Sequence, residues 1–333
     1  MSSSSLGDIL SMGMTIISYV MLFVFTLILL PSYIWQKNIK YVDIVQVFYV
    51  SLLFSMGISI LAGWNDPESF HLDPYSLRNR YLAYFQHPNS VGLYAFFGVN
   101  LSLILCLLRR RFIYMLTLPF YLILIDMSGS RTALYCVIAM LLLFALKKFI
   151  YPPLLQMIKH PVVFLPLFMV PVALLAISVD KNALLETVDQ ALSNRITIWN
   201  GVLSKNEGWF DYLIGQGTLK TNEIMDNYYL VVITSTGLLG LAFFLAMVLN
   251  SLYSLLKQYS RSPQKALGMI IAVLLVLLLY SFTESVLFTI GNALSIFVWS
   301  SVGICFLELS HIRGFLGKSR VQGNYVVEKK HSH

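Results

Sequence analysis

Nine largely apolar stretches, each close to the length of a membrane-spanning helix, constrain this chain more than any other feature. A helix needs about 20 mostly apolar residues to cross the hydrocarbon core of a bilayer. The stretches predict an all-α fold, a polytopic membrane helix bundle of about nine spans with no soluble domain. They lie near residues 8–30, 43–62, 88–108, 112–129, 131–147, 162–179, 227–250, 267–286 and 290–308.

The composition and the placement of charge agree with a membrane protein. The chain is 57% hydrophobic and 12% charged, whereas a soluble domain is roughly a quarter charged. The net charge of +7 comes from short basic clusters between the apolar stretches. Such clusters are typical of loops that face an anionic leaflet. They predict membrane lipid as a partner and no nucleic acid.

The distribution of Lys and Arg over alternate loops predicts the orientation. Loops that carry most of the positive charge face the cytoplasm. The richer set of loops and the tail hold Lys37, Lys40, Arg109, Arg110, Arg111, Lys147, Lys148, Lys159, Lys257, Arg261, Lys265, Arg313, Lys318, Arg320, Lys329 and Lys330. We therefore expect a single transmembrane domain over residues 1–310, outer loops near 63–87 and 180–226, and a cytoplasmic basic tail over 311–333.

Two short motifs place an arginine at the outer face. Arg80 and His87 precede Pro88-Asn89, which opens the third helix, and an outward helix N-terminus offers free N–H groups to an anion. Arg131 follows Gly129 in the turn between two spans, where we expect it to be buried and to need an anion or a partner. An ordinary capped helix start and a structural ion pair of Arg131 with Asp126 are the alternatives.

Later segments add further outer residues. Arg195 and Trp199 are four positions apart and would share a helix face, although that helix could simply lie on the outer membrane surface. Asp226 and Asn227 open the seventh helix as plausible N-caps. Glu284 ends the eighth span, where a carboxylate needs a cation such as an outer arginine or serves as a plain interface residue.

Together these residues suit one kind of chemistry. Arginine binds phosphate oxygens bidentately, which fits a diphosphate, and a carboxylate or histidine can deprotonate a hydroxyl. The sequence contains no P-loop, dinucleotide glycine motif, metal-ligand cluster or nucleophile elbow. It therefore predicts neither a cofactor nor a metal.

The ordered motifs resemble those of a bacterial family, the Wzy-type polysaccharide polymerases and O-antigen ligases. The resemblance is carried by residues 80–92, 128–133, 195–199 and 215–240. It implies a C-type glycosyltransferase fold in the bacterial cytoplasmic membrane, with the active site facing outward. It also implies inverting transfer between undecaprenyl diphosphate-linked glycans without metal or nucleotide sugar. A chain-length regulator and a flippase are its implied partners.

The resemblance also implies roles for individual residues. The diphosphate would be held by Arg80, Arg131 and Arg195, and the substrate would be positioned by Asn89, Trp199, Asn227 and Tyr228. Asp226 is the first candidate for the catalytic base, with Glu284 second and His87 as a further catalytic candidate. Ligases of this family carry a histidine where this chain has Asp226-Asn227, which favours a polymerase.

Three other functions fit parts of the sequence. An O-antigen ligase would differ from a polymerase only in its acceptor. A flippase for lipid-linked oligosaccharide would place charges deep along a central cavity, whereas here they gather at the outer helix ends. A membrane subunit without activity would tolerate alanine at Arg131 and Arg195.

Overall fold

The chain folds mainly into helices. A computed structural model describes residues 17–18, 20–64, 66–72, 79–82, 85, 87–159, 197, 199, 201, 209–215, 227–287 and 292–307. Its helices are α1 (Val20–Gln36), α2 (Tyr41–Gly63), α3 (Pro88–Arg109), α4 (Leu118–Ser128), α5 (Arg131–Ala145), α6 (Lys147–Lys159), α7 (Trp209–Ile214), α8 (Tyr228–Arg261), α9 (Lys265–Tyr280) and α10 (Ala293–Leu307).

Three helices, α2, α3 and α8, are long and apolar enough to cross a membrane, and α5 with α6 would make a fourth if that bent pair is one span. The helices α1, α9 and α10 are apolar but shorter, as is the helical stretch Phe112–Ser128, which begins as a 3₁₀-helix. These findings indicate a membrane protein. The expected span near 162–179 and the tail over 311–333 lie outside the described residues.

The expected outer loop near residues 63–87 contains a small antiparallel sheet, so the fold is not purely helical. The strands β1 (Phe70–Leu72) and β2 (Asn79–Tyr81) pair with Phe70 opposite Tyr81. Tyr81 is fully buried, and its ring packs against that of Phe70. The sheet fixes the path of the chain immediately before α3 and places Arg80 on β2.

Helix α3 lies at the centre of the bundle and packs against α2, α4, α5 and α9. Most of its length is buried, whereas α2 exposes most of its apolar surface. Gly98 brings α3 close to α4, because a Cβ at this position would overlap the Tyr121 ring. Small residues allow this close approach of helices. The start of α3 is therefore held at a fixed position relative to the α4–α5 turn.

The expected fifth span, residues 131–147, ends earlier than predicted. Helix α5 stops at Ala145, and α6 leaves it at an angle of 90°. The apolar face of α6 is anchored by Tyr151, whose ring contacts that of Tyr259 and whose hydroxyl donates to Gly268 O at 2.7 Å. The region with Lys147, Lys148 and Lys159, which was expected to be a loop, is thus a helix packed on the bundle.

Helix α8 is interrupted at Gly237, which has φ 70° and ψ −173°. Only glycine adopts this backbone conformation readily. At the interruption, Gly237 meets the carbonyl of Leu213 near the end of α7. Gly215, which directly follows α7, lies against the same interruption, because a Cβ there would be 2.6 Å from Gly237 N. The two glycines therefore let α7 contact the backbone of α8 directly.

The described helices place two groups of residues at opposite ends of the bundle. We call the first the motif end; it comprises the start of α3, the α4–α5 turn, the start of α8 and the segment after α9. The second, the basic end, holds Arg109, whose guanidinium contacts Asp43 at 2.9 Å, and the junction of α5 with α6. Which end faces the cytoplasm stays a prediction.

Candidate functional site

The site at the motif end begins with the first turn of α3. His87 is the N-cap in extended conformation, and its Nδ1 accepts a hydrogen bond from Asn89 N at 3.2 Å. Pro88 occupies the first helical position, where its missing N–H is not needed. The sequence prediction of a helix start at Pro88-Asn89 is confirmed. His87 contributes a cap, and it is exposed at the end of the bundle.

Arg80 connects β2 to two other parts of the motif end. Its Nε donates to Ser128 O at 2.8 Å, and one terminal nitrogen donates to Asn89 Oδ1. Its side chain also lies against Gly129, where a Cβ would be 3.1 Å from Arg80 Nε. Gly129 has φ 62°, a value that favours glycine. Arg80 therefore holds the α4–α5 turn and the start of α3 together.

Asn89 extends this connection to a distant segment. While its Oδ1 accepts from Arg80, its Nδ2 donates to Glu284 Oε1. Glu284 lies in the turn that follows α9, with its backbone N–H bonded to Tyr280 O at 3.0 Å. The order Arg80–Asn89–Glu284 thus runs from a cation through an amide to a carboxylate. The amide therefore fixes the orientation of the Glu284 carboxylate.

Gly92 allows the α4–α5 turn to lie directly on α3. A Cβ at Gly92 would be 2.5 Å from Ser130 Cβ and 3.1 Å from Ser128 Oγ. Ser130 is buried and caps α5, because its Oγ accepts from Ala133 N at 3.4 Å. The last residue of the first motif and the turn of the second motif are therefore in contact.

The environment of Arg131 differs from the one predicted. It is exposed at the first position of α5, and in the described part of the chain it makes neither an ion pair nor a hydrogen bond through its side chain. Asp126 is also exposed and does not pair with it. The prediction of a buried arginine is wrong, and so is the alternative of an Asp126–Arg131 pair, because the turn at Gly129 directs α5 so that its first residue is exposed.

Asn227 and Tyr228 lie beside the segment that carries Glu284. Asn227 is buried and caps α8, its Oδ1 accepting from Tyr229 N at 3.0 Å and Leu230 N at 3.2 Å. The predicted capping role is confirmed. The backbone N–H of Tyr228 donates to Ser281 O at 2.8 Å, three residues before Glu284. The starts of α3 and α8 therefore both contact the segment after α9.

The structure brings together five of the predicted site residues, namely Arg80, His87, Asn89, Arg131 and Glu284, with Asn227 and Tyr228 at the adjoining helix start. Trp199 is buried at 7% exposure. Arg195 and Asp226 lie outside the described residues, so their predicted roles stay predictions. Among the residues that the structure describes, no group of three His, Cys, Asp or Glu side chains could hold a metal ion.

Several supporting residues were not assigned from sequence. Tyr229 donates its hydroxyl to Leu278 O at 2.8 Å, and its ring lies 4.5 Å from that of Phe282. Together with the hydrogen bond from Tyr228 N to Ser281 O, these contacts hold the end of α9 and the segment after it against α8. No pattern in the sequence indicates these contacts, because both aromatic residues look like ordinary parts of apolar spans.

Comparison with known proteins does not place the chain in a family. No protein-family model matches it, and neither the curated proteins nor the solved structures give a match. A functional assignment therefore has to be argued from the residues at the motif end.

Proposed function

We propose that the chain is a Wzy-type polysaccharide polymerase. In this function it transfers a growing glycan from undecaprenyl diphosphate to a lipid-linked oligosaccharide repeat at the outer face of the bacterial cytoplasmic membrane. The proposal includes about nine spans in a C-type glycosyltransferase fold. The motif end would face outward and the basic end would face the cytoplasm, as expected for loops rich in Lys and Arg.

The observation that carries the proposal is the connection from Arg80 through Asn89 to Glu284. It joins the first motif to the α4–α5 turn and to the segment after α9. Residues so distant in sequence would have no need to share polar contacts in a bundle held only by apolar packing. Ionisable residues that are partly buried in a membrane protein, as Arg80 and Glu284 are, are functional candidates.

Among the described residues, Arg131 is the best placed to bind the diphosphate. Its guanidinium is exposed at the motif end and has no carboxylate partner in the described part of the chain. Arg80 already holds Ser128 O and Asn89, so its first role is to shape the site and add positive charge. Positive groups aimed at the leaving diphosphate stabilise the charge that develops there in the transition state. Arg195 is a further predicted ligand.

The reaction needs one proton acceptor and one stabilised leaving group. A hydroxyl of the acceptor sugar attacks the anomeric carbon of the donor, and the bond from that carbon to the diphosphate oxygen breaks. The base takes the hydroxyl proton, and undecaprenyl diphosphate leaves with the bonding electrons. Asp226 remains the first candidate for the base. Glu284 is the second, and its oriented carboxylate supports it.

Cells that depend on this protein for surface polysaccharide provide the test. Arg131→Ala should abolish high-molecular-weight glycan, while single lipid-linked repeats accumulate on the outer leaflet. Membrane levels of the variant must equal those of the wild type. Repeats that accumulate on the inner leaflet would instead indicate a flippase. Long glycan that forms but stays on its lipid would indicate a ligase.

A further inference from the structure

The junction of α5 and α6, at the basic end, gathers positive charge. We call it the elbow and define it by Lys147, Lys148 and Lys265. The Lys147 side chain crosses the first turn of α9, where a Cβ at Gly268 would lie 3.2 Å from Lys147 Cδ. Burial and the positive charges of Lys265 and Lys148 lower the pKa of Lys147 from its ordinary value. Three cations from two helices therefore share one small region.

The helices that form and surround the elbow carry no carboxylate. No Asp or Glu occurs between Asp126 and Asp180 or between Asp226 and Glu284, and these intervals contain all of α5, α6, α8 and α9. In the described part of the chain, none of the three elbow lysines forms an ion pair. Lys147 Nζ instead lies 3.4 Å from the centre of the Phe144 ring, an arrangement that stabilises a cation. This concentration of positive charge favours the binding of an anion at the elbow.

The direction of α6 shows what kind of anion can reach the elbow. Helix α6 turns 90° away from α5, so it would lie parallel to the membrane surface if α5 crosses the bilayer. Tyr151 and Ile158 are buried against the bundle, whereas Lys148, Phe149 and Lys159 are exposed. Exposed Phe149 beside Lys148 is the combination found in helices at the headgroup level, with an apolar ring in the acyl region and a cation at the phosphates.

We propose that the elbow binds the phosphate of an anionic phospholipid through Lys147, Lys148 and Lys265. The lipid headgroup supplies the negative charge that α5, α6, α8 and α9 lack, and its acyl chains cover the exposed apolar surface of α5 and α6. This site is at the opposite end of the bundle from Arg131 and is independent of the proposed transferase activity. Bound lipid stabilises α6 against α8 and α9.

The test uses the purified full chain in detergent, with phosphatidylglycerol and phosphatidylcholine as probes and native mass spectrometry as the readout. The wild type should retain phosphatidylglycerol in preference to phosphatidylcholine. Replacing Lys148 and Lys265 by Gln should weaken phosphatidylglycerol binding by roughly fivefold per lysine. Both side chains are exposed, so equal thermal midpoints of the variant and the wild type would show that the fold is intact.

Lys37 and Lys40 provide a matched control, because they are exposed at the basic end but lie outside the elbow. Their replacement by Gln should leave lipid binding unchanged. The proposal is overturned if the elbow variant binds phosphatidylglycerol as the wild type does, or if the control variant loses as much. It is also overturned if inorganic phosphate at the lipid's concentration displaces the lipid, which would mean a site for free phosphate. Should the double variant not fold, Lys265→Gln alone gives the same comparison.

Discussion

Asn89 and Glu284 lie 195 positions apart in the chain, and the side-chain amide of Asn89 donates a hydrogen bond to Glu284 Oε1. The amide oxygen of Asn89 accepts from Arg80 at the same time. Only one orientation of the amide satisfies both partners, because the reverse would place its NH₂ group against the guanidinium. The position of the Glu284 carboxylate is therefore linked to the position of Arg80.

The first prediction concerns this link. Asn89→Leu keeps a similar volume but leaves both Arg80 and Glu284 without the amide, which should cost about 1–3 kcal/mol of stability. A double-mutant cycle with Glu284→Leu, measured by thermal unfolding in detergent, should give a coupling free energy of at least about 0.5 kcal/mol. Additive effects of the two changes would show that the contact does not contribute.

The second prediction concerns the contact of α3 with the α4–α5 turn. Gly92→Ala would place a methyl group 2.5 Å from Ser130 Cβ, which should separate the two segments and destabilise the protein by about 1–3 kcal/mol. Gly57→Ala is the matched control, since Gly57 lies inside α2 with nothing near its Cβ position. The control should be neutral or stabilising. Equal melting temperatures of the two variants would contradict the packing described for Gly92.

The third prediction concerns the interruption of α8. Gly237→Ala demands a backbone conformation that only glycine adopts readily and adds an atom against the Leu213 carbonyl. The backbone strain alone should cost about 1–3 kcal/mol, so the amount of folded protein recovered from membranes should fall. Gly201→Ala, where a Cβ meets open space, should be recovered at the wild-type level. A normal yield of the Gly237 variant would mean that α8 is continuous.

The fourth prediction concerns the ion pair at the basic end. Arg109 and Asp43 are partly exposed, at 35% and 51%, and lie 2.9 Å apart. Exposed pairs contribute less than about 1 kcal/mol. Asp43→Asn should therefore change the melting temperature little and leave glycan synthesis intact. A large loss of activity in this variant would mean that functional residues lie at the basic end, which would contradict the proposed site at the motif end.

Local chemistry in the sequence predicted the helix starts of the site correctly. Pro88 after His87, and Asn227 before an apolar run, carry the capping signals that define a helix start wherever the rest of the chain lies. The turn at Gly129 was predicted for the same reason, because glycine is needed where φ is positive. Such features depend on a few neighbouring residues.

Features that depend on distant contacts were not predictable. The sequence suggested an arginine for Glu284, but it could not show that Asn89 stands between them, since this depends on the packing of α3 against α9. The environment of Arg131 was predicted incorrectly because the direction of α5 after the turn decides its exposure. Helix α6 was missed because its lysines lie between two apolar stretches and were assigned to a loop, whereas tertiary contacts of Tyr151 hold this segment as a helix on the bundle.

The most direct test of the proposed function is a reconstituted reaction. Purified protein, in detergent with EDTA, would be given a synthetic undecaprenyl diphosphate-linked repeat, and released undecaprenyl diphosphate and glycan length would be measured. The wild type and Arg110→Ala, a control at the basic end, should both form polymer. Arg131→Ala should lower the rate at least about a hundredfold, as expected for loss of a group that stabilises the leaving charge. Polymer formation by Arg131→Ala at the wild-type rate, or none by the wild type, would contradict the account.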